Sequence, residues 1–332
     1  MSETKVRYVA DAPGEGDDSI LPFQVEALDL RGRAVRLGPA LDTILARHDY
    51  PPPVARLLGE AIALTALLGA SLKFDGRFQL QTRTDGAVDM LVVDFAAPGM
   101  LRAYARFDAG KVAAAATGAD PAALLGRGHL GLTIDQGPQM QRYQGVVPLD
   151  GQGLEEAAHQ YFLRSEQIPT RVRLAVAEAV SHEDGRPVTR WRAGGVMGQF
   201  LPHSAERQRQ AEFDPGDAPA GVERPAFAED DAWVEARTLI ETIEDHELID
   251  PAVSSERLLY RLFNQHDIRV FDAAPLAARC RCSSERILDM LRQFSEEEKR
   301  AMVGDDGRIG VTCEFCSTRY HFDPAEIAPE PR

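Results

Sequence analysis

Before residue 202, apolar and polar residues alternate with a period of two in several short stretches; after residue 230 the period becomes helical. Residues 20–28 (ILPFQVEAL) and 33–37 (RAVRL) flank Asp29-Leu30-Arg31-Gly32, which predicts an opening hairpin around a glycine-containing turn. Leu41, Ile44 and Leu45 share one helical face, and Pro51-Pro52-Pro53 stops that pattern. From 54 to 73 apolar residues cover nearly the whole circumference, as in a helix buried on most sides. Phe78, Leu80 and Thr82 alternate with polar neighbours, Thr84-Asp85-Gly86 supplies a turn, and 88–95 and 101–107 extend an antiparallel meander. Residues 122–125 predict one helical turn. Strands are expected at 130–134, 143–149, 172–177 and 191–200. An amphipathic helix at 154–167 is ended by Ile168-Pro169, because proline disfavours helix in the residue before it. The first 202 residues thus read as an α+β unit, a largely antiparallel sheet packed on a few helices.

Residues 203–224 are polar and contain Asp214-Pro215-Gly216-Asp217-Ala218-Pro219, which predicts a linker. Residues 231–248 resume as one helix with Trp233, Ala236, Leu239, Ile240 and Ile243 on its apolar face. A second, 254–265, carries Leu258, Leu259, Leu262 and Phe263. Both faces need a docking partner. Ser283-Ser284 offers an N-cap for a helix at 285–294, and Ser295 with Glu298 fits a capping box for the next. Ile309 and Val311 begin a strand that returns through 318–322.

The chain has four cysteines in 332 residues, all between 280 and 316. They read Cys280-Arg281-Cys282 and, after thirty residues, Cys313-Glu314-Phe315-Cys316. Four thiolates suit the tetrahedral, sulfur-rich shell of Zn²⁺, and two close pairs around a foldable stretch are the usual way a small domain closes on such an ion. Four sulfurs fill the shell, leaving no place for water or substrate, so the predicted site is structural and not hydrolytic. His321, five residues after Cys316, is a weaker fourth donor. As a redox dithiol, the Cys313/Cys316 pair lacks the following helix that lowers a thiol's pKa.

Charge narrows the partners. Lys plus Arg number 37 against 52 Asp plus Glu, a formal charge of −15. Residues 225–332 hold 13 Lys plus Arg against 23 Asp plus Glu, a net of −10, so no nucleic-acid footprint is expected there. Neither nucleic acid nor an anionic membrane is an expected bulk partner. Residues 1–18 lack a basic and apolar leader pattern, which predicts a cytoplasmic protein, where metal-bound or redox-sensing cysteines are the common explanation. The first 202 residues contain no P-loop, GxSxG or HExxH, and His129, Asp135 and His159 acquire no role, so no enzyme is predicted. Oxidation of four thiolates would remove the metal's donors and unfold a small domain, which makes the cysteines a plausible oxidant sensor. A thiol-disulfide oxidoreductase using Cys313 and Cys316, and a zinc-ribbon module for nucleic acid, are the competing readings.

Across nearly the whole chain the sequence resembles the heat-shock protein 33 family of redox-regulated holdase chaperones. The resemblance rests on 143–149 (YQGVVPL), 161–170 (YFLRSEQIPT), 194–202 (GGVMGQFLP), Val270-Phe271-Asp272, 279–283 (RCRCS) and 311–316 (VTCEFC). It implies an ATP-independent chaperone, inactive when reduced and zinc-bound. It also implies disulfides Cys280–Cys282 and Cys313–Cys316 on oxidation, with zinc release and linker unfolding. Unfolding client proteins, an activated homodimer and a downstream foldase system are the implied partners. Carried onto this chain, 1–202 is the client-binding and dimerising core, 203–267 a metastable linker and 268–332 the redox-sensing zinc domain. The polar insert at 212–225 is longer than the family's usual linker start.

Overall fold

The structure is a computed structural model that describes residues 17–71, 76–115, 121–137, 142–183, 186–202 and 229–327. The polar linker insert, the extreme N-terminus and the end of the 54–73 apolar run lie outside the described residues.

The architecture follows from one helix. After α1 (Pro39–Leu45), α2 (Pro52–Gly69) begins on a proline at its first helical position, where a missing N–H costs nothing. The proline run therefore starts a helix as well as separating it from the preceding one. Of α2's 18 residues, 78% are buried. Its length and hydropathy would suit a membrane span, yet it is packed between two sheets. One sheet joins β1 (Ser19–Val25), β2 (Leu30–Leu37), β8 (Thr170–Glu183) and β9 (Arg186–Phe200) in the order β1-β2-β9-β8. Strands β10 (Ile268–Val270) and β11 (Ala274–Pro275) add to β1. The other sheet runs β5-β4-β3-β6-β7, from β3 (Arg77–Thr84), β4 (Val88–Ala96), β5 (Met100–Phe107), β6 (Arg127–Asp135) and β7 (Tyr143–Asp150). Neighbours along both of these paths are antiparallel. On the second sheet's edge, β12 (Ala277–Ala278) pairs with β5 in parallel. Short helices α3 (Ala109–Ala114), α4 (Pro121–Leu125) and α5 (Leu154–Tyr161) complete this α+β body.

Three local readings change. The opening turn is a 3-10 segment at Glu26–Leu28 closed by Asp29 in the left-handed region (φ 47°). Gly32 is instead inside β2, where an added Cβ would lie 2.2 Å from the Phe23 ring. The 154–167 helix ends its α geometry at Tyr161 and finishes as one π turn, Phe162–Glu166. The single helix expected over 231–248 is two, α6 (Asp231–Glu241) and α7 (Asp245–Ile249), broken where Glu244 and Glu247 form a capping box.

With α8 (Ser255–Phe263), these helices bury their apolar faces on the outer face of the first sheet. Trp233, Ala236, Ile240, Leu259 and Phe263 join Phe23, Leu30 and Val196 in one cluster. Polar contacts fix the register. Asp17 pairs with Arg192 at 2.6 Å and Arg36 at 3.5 Å, all three side chains nearly buried. Arg192 donates to the Ile249 carbonyl at 2.8 Å, and Arg36 to those of Asp250 (2.7 Å) and Val253. Arg173–Asp245 (2.8 Å) and Arg171–Glu241 (3.2 Å) add exposed pairs.

Candidate metal centre

Residues 279–327 form a small cysteine-bearing module. Its apolar centre is Ile287, Leu291, Ile309, Phe322 and Ile327, too little by itself to hold so long a segment. Cys280 and Cys282 lie on extended chain after β12, held to the second sheet by Arg279 N–H donating to the Leu101 carbonyl at 2.9 Å. Ser283 then caps α9 (Ser284–Leu291) by accepting from the Arg286 N–H. Ser295 caps α10 (Glu296–Ala301) with the expected capping box. Cys313 and Cys316 sit at the tip between β13 (Ile309–Thr312) and β14 (Arg319–Phe322). The tip is closed by Ser317 N–H donating to the Cys313 carbonyl (2.8 Å) and Cys313 N–H to that of Thr318 (3.0 Å), with Ser317 at φ 56°.

All four sulfurs lie within 4.8 Å of one another, and all four residues are half-buried. Two sulfur contacts cross between the loops: Cys280–Cys313 at 3.7 Å and Cys282–Cys316 at 3.3 Å. A zinc–sulfur tetrahedron with ~2.3 Å bonds has an edge of ~3.8 Å, so the donor set matches one ion in both chemistry and size. His321 is exposed in β14 opposite Gly310 and outside the sulfur cluster.

The thiols are electrostatically unequal. Burial pushes Cys282 up, to about 12, neighbouring sulfurs add to this, and the Tyr320 hydroxyl, donating at 3.1 Å, opposes it. Burial also raises Cys313, although the N–H groups of Phe315 and Cys316 pull the other way. At Cys316 burial is outweighed by hydrogen bonds with the Thr318 hydroxyl and N–H and with Cys282, bringing it to about 6. Four thiolates this close repel, and a divalent cation at their centre is what allows all four to be ionised. Because β14 follows Cys316, neither cysteine of this pair sits at a helix N-terminus, the arrangement a thioredoxin-like nucleophile requires.

The residues between the cysteines anchor the module to the second sheet. Arg281 reaches Asp94 at 3.2 Å, and Arg102 meets the same oxygen at 2.5 Å and lies 4.0 Å over the Phe315 ring. Gln79 donates to the other Asp94 oxygen at 2.8 Å. Ser317 Oγ donates to the Arg47 carbonyl at 2.7 Å. Sequence reasoning identified the cysteines but not Asp94, Arg102, Arg281 or Phe315. The signal was the spacer identity, Arg in one pair and Phe in the other, and its meaning depends on Asp94 standing opposite Arg102 in the β4–β5 register.

These features define a class: a two-sheet α+β protein that carries a separate four-thiol module on one sheet. The family model described as Hsp33 protein matches residues 18–323. The chain is 49% identical over 319 residues to the 33 kDa chaperonin of Caulobacter vibrioides, covering 95% of this chain and 98% of that one. It is 37% identical over 309 residues to that of Ectopseudomonas mendocina, covering 92% of each. The crystal structure of the 33 kDa chaperonin from Thermotoga maritima shares the fold, with a TM-score of 0.68 over 93% of this chain and 96% of that one, at 20% identity. The chain belongs to the Hsp33 family, a family of chaperones and not of enzymes.

Proposed function

We propose that this chaperone is a holdase switched on by oxidation, with Cys280, Cys282, Cys313 and Cys316 holding one Zn²⁺ in the reduced, inactive state. The observation that carries the reading is the convergence of four sulfurs within 4.8 Å in a module whose own apolar centre is small. When bound, the ion supplies charge compensation and a cross-link between the two cysteine loops, a contribution of ~10–16 kcal/mol in small zinc domains. That is comparable with the whole stability of an ordinary domain.

Activation is a two-electron oxidation at each cysteine pair. One peroxide accepts two electrons from two thiolates; the sulfurs join, and with two protons the peroxide leaves as two waters. The pairing expected from family resemblance is Cys280–Cys282 and Cys313–Cys316, so two peroxides consume all four donors. The module then loses its cross-link, and β10 and β11, which join α8 to it and pair with β1, are no longer anchored at that end. The apolar faces of α6 to α8, buried on the first sheet in the reduced fold, become available, and unfolding client proteins are the partners such faces fit. In functional terms the chain divides into a client-binding and dimerising core (1–202), a metastable linker (203–267) and a redox-sensing zinc domain (268–332). Cytoplasmic action, an activated homodimer and hand-over to a foldase system complete the proposal.

The test is peroxide with mild heat on the reduced, zinc-loaded chain. About one zinc per chain should appear on a chelating dye, and suppression of client aggregation should rise in parallel. Zinc release with no gain in suppression would end the holdase reading. Catalytic turnover of disulfide substrates by the reduced protein would instead favour an oxidoreductase.

A further inference from the structure

Among the described residues nothing covers the outer face of the second sheet over β3, β6 and β7, which forms a groove of about 650 Å³. Its cross-strand rows are Gln79–Thr133–Gln144 and Gln81–Gly131–Val146. Gly131 is the floor. A Cβ there would meet the Gln144 amide at 3.6 Å and the Gln81 carbonyl oxygen at 3.7 Å, ordinary van der Waals contact and not a clash, so a side chain can be placed on the floor. A second hollow of about 200 Å³ shares Gln79 and Thr133 with the first and runs on to Asp94, Arg102 and Arg281, where the cysteine module docks.

Charge along this path opposes that of the molecule. On a chain of net −15, the two hollows are lined by five arginines and two aspartates. Arg102 and Arg281 are committed to Asp94, and Arg142 lies 3.5 Å from Asp135. Arg77 and Arg83 have no carboxylate partner among the described residues. They stand six residues apart on β3, ~20 Å at the rise of an extended chain. Between them the amides of Gln81 and Gln144 have no hydrogen-bond partner among the described residues, and each offers both a donor and an acceptor. A peptide backbone needs both; a phosphate polymer accepts only and would leave the glutamine carbonyls unmatched.

We infer that this groove binds an extended, acidic stretch of client polypeptide, its backbone against the glutamine rows and its carboxylates on Arg77 and Arg83. The inference rests on the chaperone reading above and adds to it a polar contact with a preferred client chemistry, apart from the apolar faces of the linker helices.

The probe is a labelled peptide of alternating Glu and Thr, titrated against the oxidised full-length chain and followed by anisotropy. Binding should weaken with salt, fall about tenfold in the double variant Arg77→Glu/Arg83→Glu, and be lost in Gly131→Leu, whose side chain fills the floor without a backbone clash. Both variants should keep zinc loading and native circular dichroism. Binding unchanged in both variants, equal binding of a Lys–Thr peptide, or equal binding of polyphosphate would overturn the inference. An oxidised wild-type chain that suppresses aggregation but ignores the acidic peptide sinks the groove alone. One that binds the peptide in the groove but suppresses no aggregation sinks the holdase reading instead.

Discussion

His159 shows how much a single side chain contributes to the core without entering the cysteine chemistry. Its Nε2 accepts the Val172 N–H at 2.9 Å, which requires a neutral ring at that nitrogen. Burial, and then Arg171, push its pKa below the ordinary value, while Glu156 acts the other way. A depressed folded value means the unfolded chain takes the proton first. This histidine's contribution to stability is therefore present above about pH 6.5 and lost as pH falls through the folded value. Replacing His159 with Gln, which keeps an acceptor, should flatten the urea-unfolding stability of the reduced protein between neutral pH and about pH 5. An unchanged slope would place the pH sensitivity elsewhere. The cysteines were legible at this scale because four thiols clustered at one end of a chain have few physical explanations. Asp94 was not, because a lone aspartate in an alternating strand looks like a solvated residue until β5 supplies Arg102 and the cysteine loop supplies Arg281.

At the scale of elements, hydrophobic period located the strands and the helices well, and local backbone chemistry decided where the reading failed. Asp29, not Gly32, takes the left-handed turn position, because Gly32 is needed where the Phe23 ring crosses β2. The 231–248 helix broke because its apolar stripe continues through Ile243 and Leu248 while the backbone restarts at a capping box. Helices α6 and α7 also meet the sheet at glycine. Gly194 lies under α7, where an added Cβ would be 2.1 Å from the Leu248 carbonyl oxygen. Gly194→Ala should push α7 off β9 and strain the Arg192 contact to Ile249. The expected result is a several-fold rise in binding of an apolar dye with all four thiols still reduced. Dye binding equal to wild type would mean that α7 does little to hold these helices on the sheet.

For the whole molecule, the two sheets around α2 share one large core, whereas the cysteine module keeps its own five-residue centre. Their stabilities should therefore separate. If the four sulfurs hold zinc as proposed, removing it with a chelator under reducing conditions should split calorimetric unfolding into two transitions: an early one from the module and a later one from the sheets. A single transition at the original temperature would show that the sulfurs contribute little to the fold. This separation could be expected from the sequence, since the cysteines and the strong β pattern occupy different ends of the chain. The layering could not, because it depends on α2 being wrapped by strands from both halves of the first 202 residues.

The spacer residues Arg281 and Phe315 give this arrangement a mechanical consequence. Each lies between two sulfurs, so the peptide units that set the sulfur spacing also aim the side chains that touch Asp94 and Arg102. Sulfur spacing and fastening to the sheet are set by the same few atoms of backbone. A change in distance between neighbouring sulfurs need not travel along any helix to be felt at the sheet, because the grip on the sheet turns with it.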